Sequence, residues 1–302
     1  MKNFYHAYII RLQQTPALSR SKKRAWNMFP APLGRAISIC LTLLVLSTTT
    51  MAAEPELDDI INRANLASYY QGQSGRAQVN MIITDAQERT RERRMIILRQ
   101  DMPQTDALDN GAYRGAQKFY VYFQRPADVN KMVFMVWKNL DMDDDRWLYL
   151  PALDLVKRIA ASDERTSFVG SDFYYEDVSG RDIEEDTHEL VKTTENYYVV
   201  KNTPKDASTV EFDHYLMYIH KQSFIPVQVE YYDTAGNKYR VAKALKVETV
   251  QGYQTVTQAS MENLQTGSKT VMDYSSVNYD IELPDDVFTE RYLRRAPIKY
   301  LR

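Results

Sequence analysis

The spacing of apolar residues changes three times along the chain, and each change predicts a different kind of element. Ala36–Ser47 is a largely apolar block of twelve residues without any period. Leu57, Ile60, Ile61 and Ala64 then recur at helical spacing behind Pro55 and a run of early acids, which predicts a short amphipathic helix within residues 54–68. From Arg76 the period becomes two. Val79, Met81 and Ile83 alternate with Gln78, Asn80 and Thr84, and Asp85–Glu88 turns the chain into a second long strand over Arg89–Arg99.

Further segments rich in aromatic and β-branched residues follow at similar spacing: 118–126, 131–137, 146–150, 155–159, 197–201, 214–220, 227–232, 238–249, 254–264 and 270–279. About ten to twelve strands joined mostly by hairpin-length connections predict a mostly β (α+β) fold, with one antiparallel sheet curved into a barrel or open half-barrel. Two segments break the meander. Residues 162–177 mix acids with Phe168, Val169 and Phe173 and show no clean alternation, so they read as an irregular or partly helical lid. Pro284–Glu290 places Pro and acids before an apolar pair and predicts a short closing helix ahead of a basic tail over 294–302.

Charge divides the chain where the first apolar block ends. Residues 1–53 hold seven Lys/Arg and no acid, leaving 31 basic against 40 acidic residues beyond them, a net charge of −9. That balance excludes nucleic acid and anionic headgroup surfaces as natural partners of residues 54–302. A basic stretch ending at Arg35, an apolar block and then Thr50-Met51-Ala52-Ala53 is the order of a secretory leader, with cleavage expected after Ala52 or Ala53 and Met28 as an alternative start. Twelve apolar residues are too few for a membrane core, which needs about 20. The single cysteine, Cys40, lies inside this block behind Ile39, which disfavours lipidation and leaves residues 54–302 without disulfides or thiolate chemistry. The expected product is a soluble periplasmic domain over 54–302.

Candidate chemistry is sparse. His214 and His220 lie on one strand face about 20 Å apart at ~3.3 Å per residue, too far to share a metal. The run Asp141–Asp145 lacks the glycine and distal acid of a calcium loop. No phosphate loop or Gly-x-Ser-x-Gly elbow is present. The expectation is therefore a protein without catalytic residues, metal or cofactor. What stands out instead is 22 Tyr, 10 Phe and 12 Met, placed heavily on the strands. A strongly curved sheet has a concave face that an acyl chain can occupy under a movable lid. The alternation assigns that cavity to Val79, Met81, Ile83, Phe119, Val121 and Phe123, extended by Leu148 and Leu150. On this reading Val121→Glu abolishes lipid loading and leaves folding largely intact.

Three stretches carry a resemblance. Tyr120–Pro126, Asp143–Ile159 with the following "SFVGSDFYYEDVSGRD", and the closing Tyr279-Asp-Ile-Glu-Leu-Pro-Asp-Asp-Val-Phe-Thr289 resemble the outer-membrane lipoprotein-sorting (LolA-like) family, in its longer periplasmic branch. The resemblance implies an unclosed antiparallel barrel, with helices over its opening, that moves the acyl chains of a lipoprotein or lipid between envelope membranes. It implies no cofactor. It also implies that Arg125, ahead of Pro126, helps to hold a lid carrying Phe168, Val169 and Phe173. The expected partners are an inner-membrane transporter, of resistance-nodulation-division or lipoprotein-releasing type, and an outer-membrane acceptor. The alternative is a non-carrier envelope module, an accessory or sensor subunit of an exporter that binds a protein partner; a lipid-modifying hydrolase ranks third.

Overall fold

The structure, a computed structural model, describes residues 54–102, 115–140 and 142–302. The leader expected over residues 1–53 and the acid at 141 lie outside the described residues. Helix α1 (Leu57–Tyr69) leads into thirteen antiparallel strands. These are β1 (Ser74–Thr84), β2 (Thr90–Asp101), β3 (Gln117–Arg125), β4 (Val133–Lys138), β5 (Asp145–Leu150), β6 (Leu155–Ile159), β7 (Asp186–Thr193), β8 (Tyr197–Pro204), β9 (His214–His220), β10 (Pro226–Tyr232), β11 (Lys238–Val250), β12 (Tyr253–Asn263) and β13 (Ser268–Tyr279). Among the described residues the other α-helices, α2 (Tyr175–Ser179) and α3 (Glu290–Arg294), are short.

The strand order, β6-β5-β4-β3-β2-β1-β13-β12-β11-β10-β9-β8-β7, is two meanders zipped together at their outer ends by the pairing of β1 with β13. The sheet is not closed: β6 and β7, consecutive in the chain, are its two free edges. The expected lid is the segment that connects one edge to the other. Because it must leave β6 and reach β7, it crosses the open face, and the topology itself makes it a cover.

Strand β7 is the one strand that the apolar pattern missed. Its sequence, DTHELVKT, is largely exposed after Asp186, as suits an edge strand whose charges discourage pairing with other chains. Alternation fades on such a strand because neither face is fully buried.

Odd-numbered positions of β1 (Val79, Met81, Ile83) face the crossing segment and pack with Met95, Phe119, Val121, Phe123, Phe134 and Met272 in one core. The opposite face of β2–β5 presents Ile96, Leu98, Tyr120, Val133, Met135, Trp147 and Tyr149 to a second core, which is covered by the chain's last twenty residues. There Val287 and Phe288 sit on a 3-10 turn (Asp285–Phe288), and Leu293 and Leu301 follow them into the core. Trp137 Nε1 donates to the Phe288 carbonyl at 2.8 Å, and Tyr120 Oη donates to the Tyr292 carbonyl at 2.7 Å. The basic tail is thus a packed layer. A third core joins Ile60, Ile61 and Ala64 of α1 to Tyr198, Val200, Ile219 and Phe224.

Phe288 is fully buried between β2–β4 and the terminal turn. Phe288→Ala is expected to cost about 3–5 kcal/mol, read as a lower urea midpoint with an unchanged slope.

Candidate apolar ligand cavity

The crossing segment carries many backbone and charged groups over an apolar sheet, so each needs a partner there. The sheet supplies them largely as arginines. Arg93 Nε donates to the Val169 carbonyl at 3.2 Å and Arg91 donates to the Gly170 carbonyl at 3.2 Å. Arg240, 1% exposed, donates to the Asp172 carbonyl at 3.1 Å, pairs with Asp177, and lies 3.9 Å from the centre of the Tyr174 ring. Thr270 Oγ1 donates to the Asp172 carboxylate at 2.7 Å. Arg146, 2% exposed, reaches Glu164 at 2.6 Å and Asp144 at 2.8 Å.

From the segment, Arg165 pairs with Glu176 and, at 2.7 Å, with Glu211 of the β8–β9 connection, while Arg181 pairs with Glu176 and with Asp186 at the start of β7, each at 3.1 Å. Burial acts to raise the Glu211 carboxyl, but the hydrogen bonds and charge of Arg165 outweigh it and hold the group below its ordinary range. Apolar contact reinforces the clamp. Phe168, 1% exposed, sits against Phe123, Phe134 and Tyr175 with ring centres 5.9, 5.4 and 5.6 Å away.

Beyond the reach of these rings the sheet carries small side chains. Gly75 and Ala77 of β1, Ala242 and Ala244 of β11 and Ala259 of β12 share one face, with Ala244 directly opposite Ala259. The segment and α1 roof this region without filling it. A cavity of about 360 Å³ results, within the ordinary range for ligand pockets. Its walls are chiefly apolar: Met95, Ile97, Phe119, Val229, Met272 and Tyr274 from the sheet, Phe168, Phe173 and Val178 from the crossing segment, and Ala67 and Tyr69 from α1.

Two cations fix the roof. Arg99 donates to the carbonyls of Tyr69, Gln71 and Gly72, satisfying the C-terminal end of α1. Lys138, whose ammonium burial pulls below its ordinary pKa, donates to the Ser179 and Gly180 carbonyls at 3.2 and 3.1 Å at the end of α2. Gly180, at φ +79°, lies so close to the Tyr69 ring that a Cβ would fall 2.4 Å from Cζ, so only glycine lets the two roof elements meet.

A family model described as that of an uncharacterized protein matches residues 115–295. Among solved structures, a DUF1329 family protein from Desulfovibrio piger is 27% identical, with a TM-score of 0.69 over 78% of this chain and 96% of its own. A domain from Vibrio parahaemolyticus described as an outer membrane lipoprotein-sorting protein is 26% identical, with a TM-score of 0.68 over 78% of this chain and 97% of its own. The chain belongs to the family that this model describes, and its structural neighbours are DUF1329 family and outer-membrane lipoprotein-sorting proteins. A LolA superfamily protein from Nitrosomonas europaea, 19% identical with a TM-score of 0.58, shares the fold over 78% of this chain and 97% of its own. No match is found among curated proteins.

Within this LolA-like frame the residues singled out from sequence divide into three groups. Phe119, Phe168 and Phe173 line the cavity. Val79, Met81, Ile83, Val121, Phe123 and Leu148 lie in the filled half of the concave face, and Leu150 and Val169 pack at its margin. The space lies further along the sheet than the alternation alone indicates, because the large residues of β3–β5 meet Phe168 and Tyr175 and exclude it.

Arg125 is the third case. It stands exposed at the end of β3, beside Glu92, Arg94 and Asn130 in a shallow depression, and the hydrogen bonds to the crossing segment come from Arg91 and Arg93 instead. A sequence signal for these two exists: Arg91, Arg93 and Arg99 occupy the same phase of β2 as Met95 and Ile97, the phase that faces inward. The alanines gave no such signal, since alanine in a strand reads as neutral.

Two outcomes follow for the clamp and the core. Val121 is 0% exposed in the filled half, so a carboxylate there has no partner, and Val121→Glu is expected to unfold the protein, seen as loss of the cooperative thermal transition. A carboxyl with a depressed native pKa stabilises the fold above its unfolded value, here 4.5, and loses that contribution as pH falls through the native value. Glu211→Gln is therefore expected to be less stable than the unaltered protein at pH 7, with the gap closing as urea midpoints are followed below pH 4.5.

Proposed function

We propose that this protein is a periplasmic carrier that shelters the acyl portion of a lipoprotein or lipid while it passes between envelope membranes. The observation that carries the reading is the apolar cavity between the alanine-bearing centre of the sheet and the roof of α1 and the crossing segment. Each methylene kept from water is worth ~0.8 kcal/mol, so a walled apolar space is the physical requirement for moving such a chain through an aqueous compartment. Met95 and Met272 in the wall suit a cargo that must also be released, because unbranched thioethers repack at little cost.

The likeness to lipoprotein-sorting proteins supports the same reading, through the description of the Vibrio parahaemolyticus structure. Among the described residues no helix is long and apolar enough to cross a membrane, so a carrier of this kind would rely on export by its leader. An inner-membrane transporter, of resistance-nodulation-division or lipoprotein-releasing type, would be the donor, and an outer-membrane protein the acceptor. No cofactor enters this function.

The filled half of the concave face favours a second reading, a module that binds a protein partner and carries nothing. Mass spectrometry separates the two. Protein purified from periplasm without detergent is expected to carry a stoichiometric lipid released by solvent extraction, and a clean apo mass from folded protein would support the module. Ala259→Phe, which places a ring in the cavity, is expected to reduce the lipid-bound fraction severalfold while the thermal midpoint stays within a few degrees.

A further inference from the structure

The crossing segment is the obvious gate to this cavity, and its bonding makes it a poor one. Opening it would expose Phe168 and strip Arg240 and Thr270 of their partners at once. The other roof element has its backbone end fixed by Arg99 but meets the neighbouring β11–β12 hairpin through a weaker contact. Just after α1, the Gln71 amide donates to its own helix at Ala67 O and, at 2.7 Å, to the backbone carbonyl of Gln254 at the start of β12. This contact is exposed and joins two neutral groups. In the hairpin that carries Gln254, residues 245–249 of β11 are exposed, Gln251 and Gly252 turn the chain at φ +51° and +90°, and the Gln251 amide ties the turn to the Tyr279 backbone at 2.7 and 3.2 Å.

Outside the contact lies a wider depression of about 1030 Å³ of mixed character, where Arg63, Gln73, Tyr253 and Asp280 stand beside Leu66, Tyr70 and Phe224. It shares Ala67 and Gln71 with the apolar cavity, so the two spaces adjoin at that side chain and its bond. The inner space is narrow by comparison. At ~30 Å³ per water-sized group, 360 Å³ holds roughly a dozen such groups, about the bulk of one alkyl chain.

We propose that the cavity takes a single alkyl chain, admitted between the end of α1 and the β11–β12 hairpin when the Gln71–Gln254 contact opens, with the polar head of the amphiphile left in the outer depression. The crossing segment stays shut throughout. The proposal rests on the carrier reading and adds to it the number of chains and the route.

The test uses cis-parinaric acid, a fluorescent single-chain probe, with the full chain in a Cys40→Ser background. Gln71→Cys with Gln254→Cys, bridged by dibromobimane, is expected to slow probe entry at least about tenfold, as a locked gate does. Asp172→Cys with Ser268→Cys, which joins the crossing segment to β13, is expected to leave entry unchanged when bridged. Gln71→Ala is expected to speed entry, with saturation at one probe per protein and displacement by lysophosphatidylcholine but not by the diacyl lipid. Blocked entry in the Asp172/Ser268 bridge with free entry in the Gln71/Gln254 bridge would overturn the route, and saturation at two probes would overturn the single chain. Absence of probe binding in every variant, with folding intact, would overturn the carrier reading and this proposal together. Normal binding with the wrong bridge blocking would leave the carrier reading standing.

Discussion

The set of buried arginines that fastens the crossing segment is the interaction on which the rest of the structure depends. A curved sheet with two free edges presents an apolar concave face that water would otherwise wet, and the chain covers it with the connection between those edges. Such a connection brings peptide groups and acids into a poorly hydrated place. Arg146 and Arg240 on the sheet and Arg165 and Arg181 on the segment answer that demand with two or more hydrogen bonds apiece, and Arg93 adds one to the Val169 carbonyl. Removing one partner would strand the other, and for that reason the cluster specifies one position of the cover more than it adds net stability.

Given a cover fixed in position, the sheet residues beneath it decide what is solid and what is hollow. Over β3–β5, aromatic and β-branched side chains meet Phe168 and Tyr175, and the space closes. Over β1, β11 and β12, alanine and glycine face the same roof and do not reach it. One continuous surface thus serves both as a core and as a cavity. The terminal residues make this asymmetry affordable: Val287, Phe288 and Leu301 bury the outer face of β2–β5, so the strands under the filled half are packed on both sides.

The same division bears on function. A carrier must hold an alkyl chain away from water and still release it, and a uniformly rigid roof would prevent release. Here rigidity is concentrated in the crossing segment, where charges are buried, and the polar, exposed contact of Gln71 lies where the roof meets the outer depression. Gly180 against Tyr69 and Lys138 at the end of α2 couple the two roof elements at the opposite side of α1's last turn.

By itself the sequence determined twelve of the strands, the helix α1, a single antiparallel sheet curved into a barrel or half-barrel, and an irregular cover after β6. Period-two alternation over long strands leaves little freedom in which residues face the core. Residues such as Val79, Met81 and Phe123 were therefore legible as inward-facing before any coordinates. It did not reveal β7, whose exposed edge position removes the alternation, and it could not separate a wall from a floor. Whether an inward residue lines a space or fills one depends on what stands opposite it, and that is set by contacts between segments distant in the chain: Phe168 over Phe134, Tyr69 under Gly180, Arg93 at Val169. Only the tertiary structure placed the cavity at the alanines and moved the hold on the cover from Arg125 to Arg91 and Arg93, because facing direction is a local property and free volume is not.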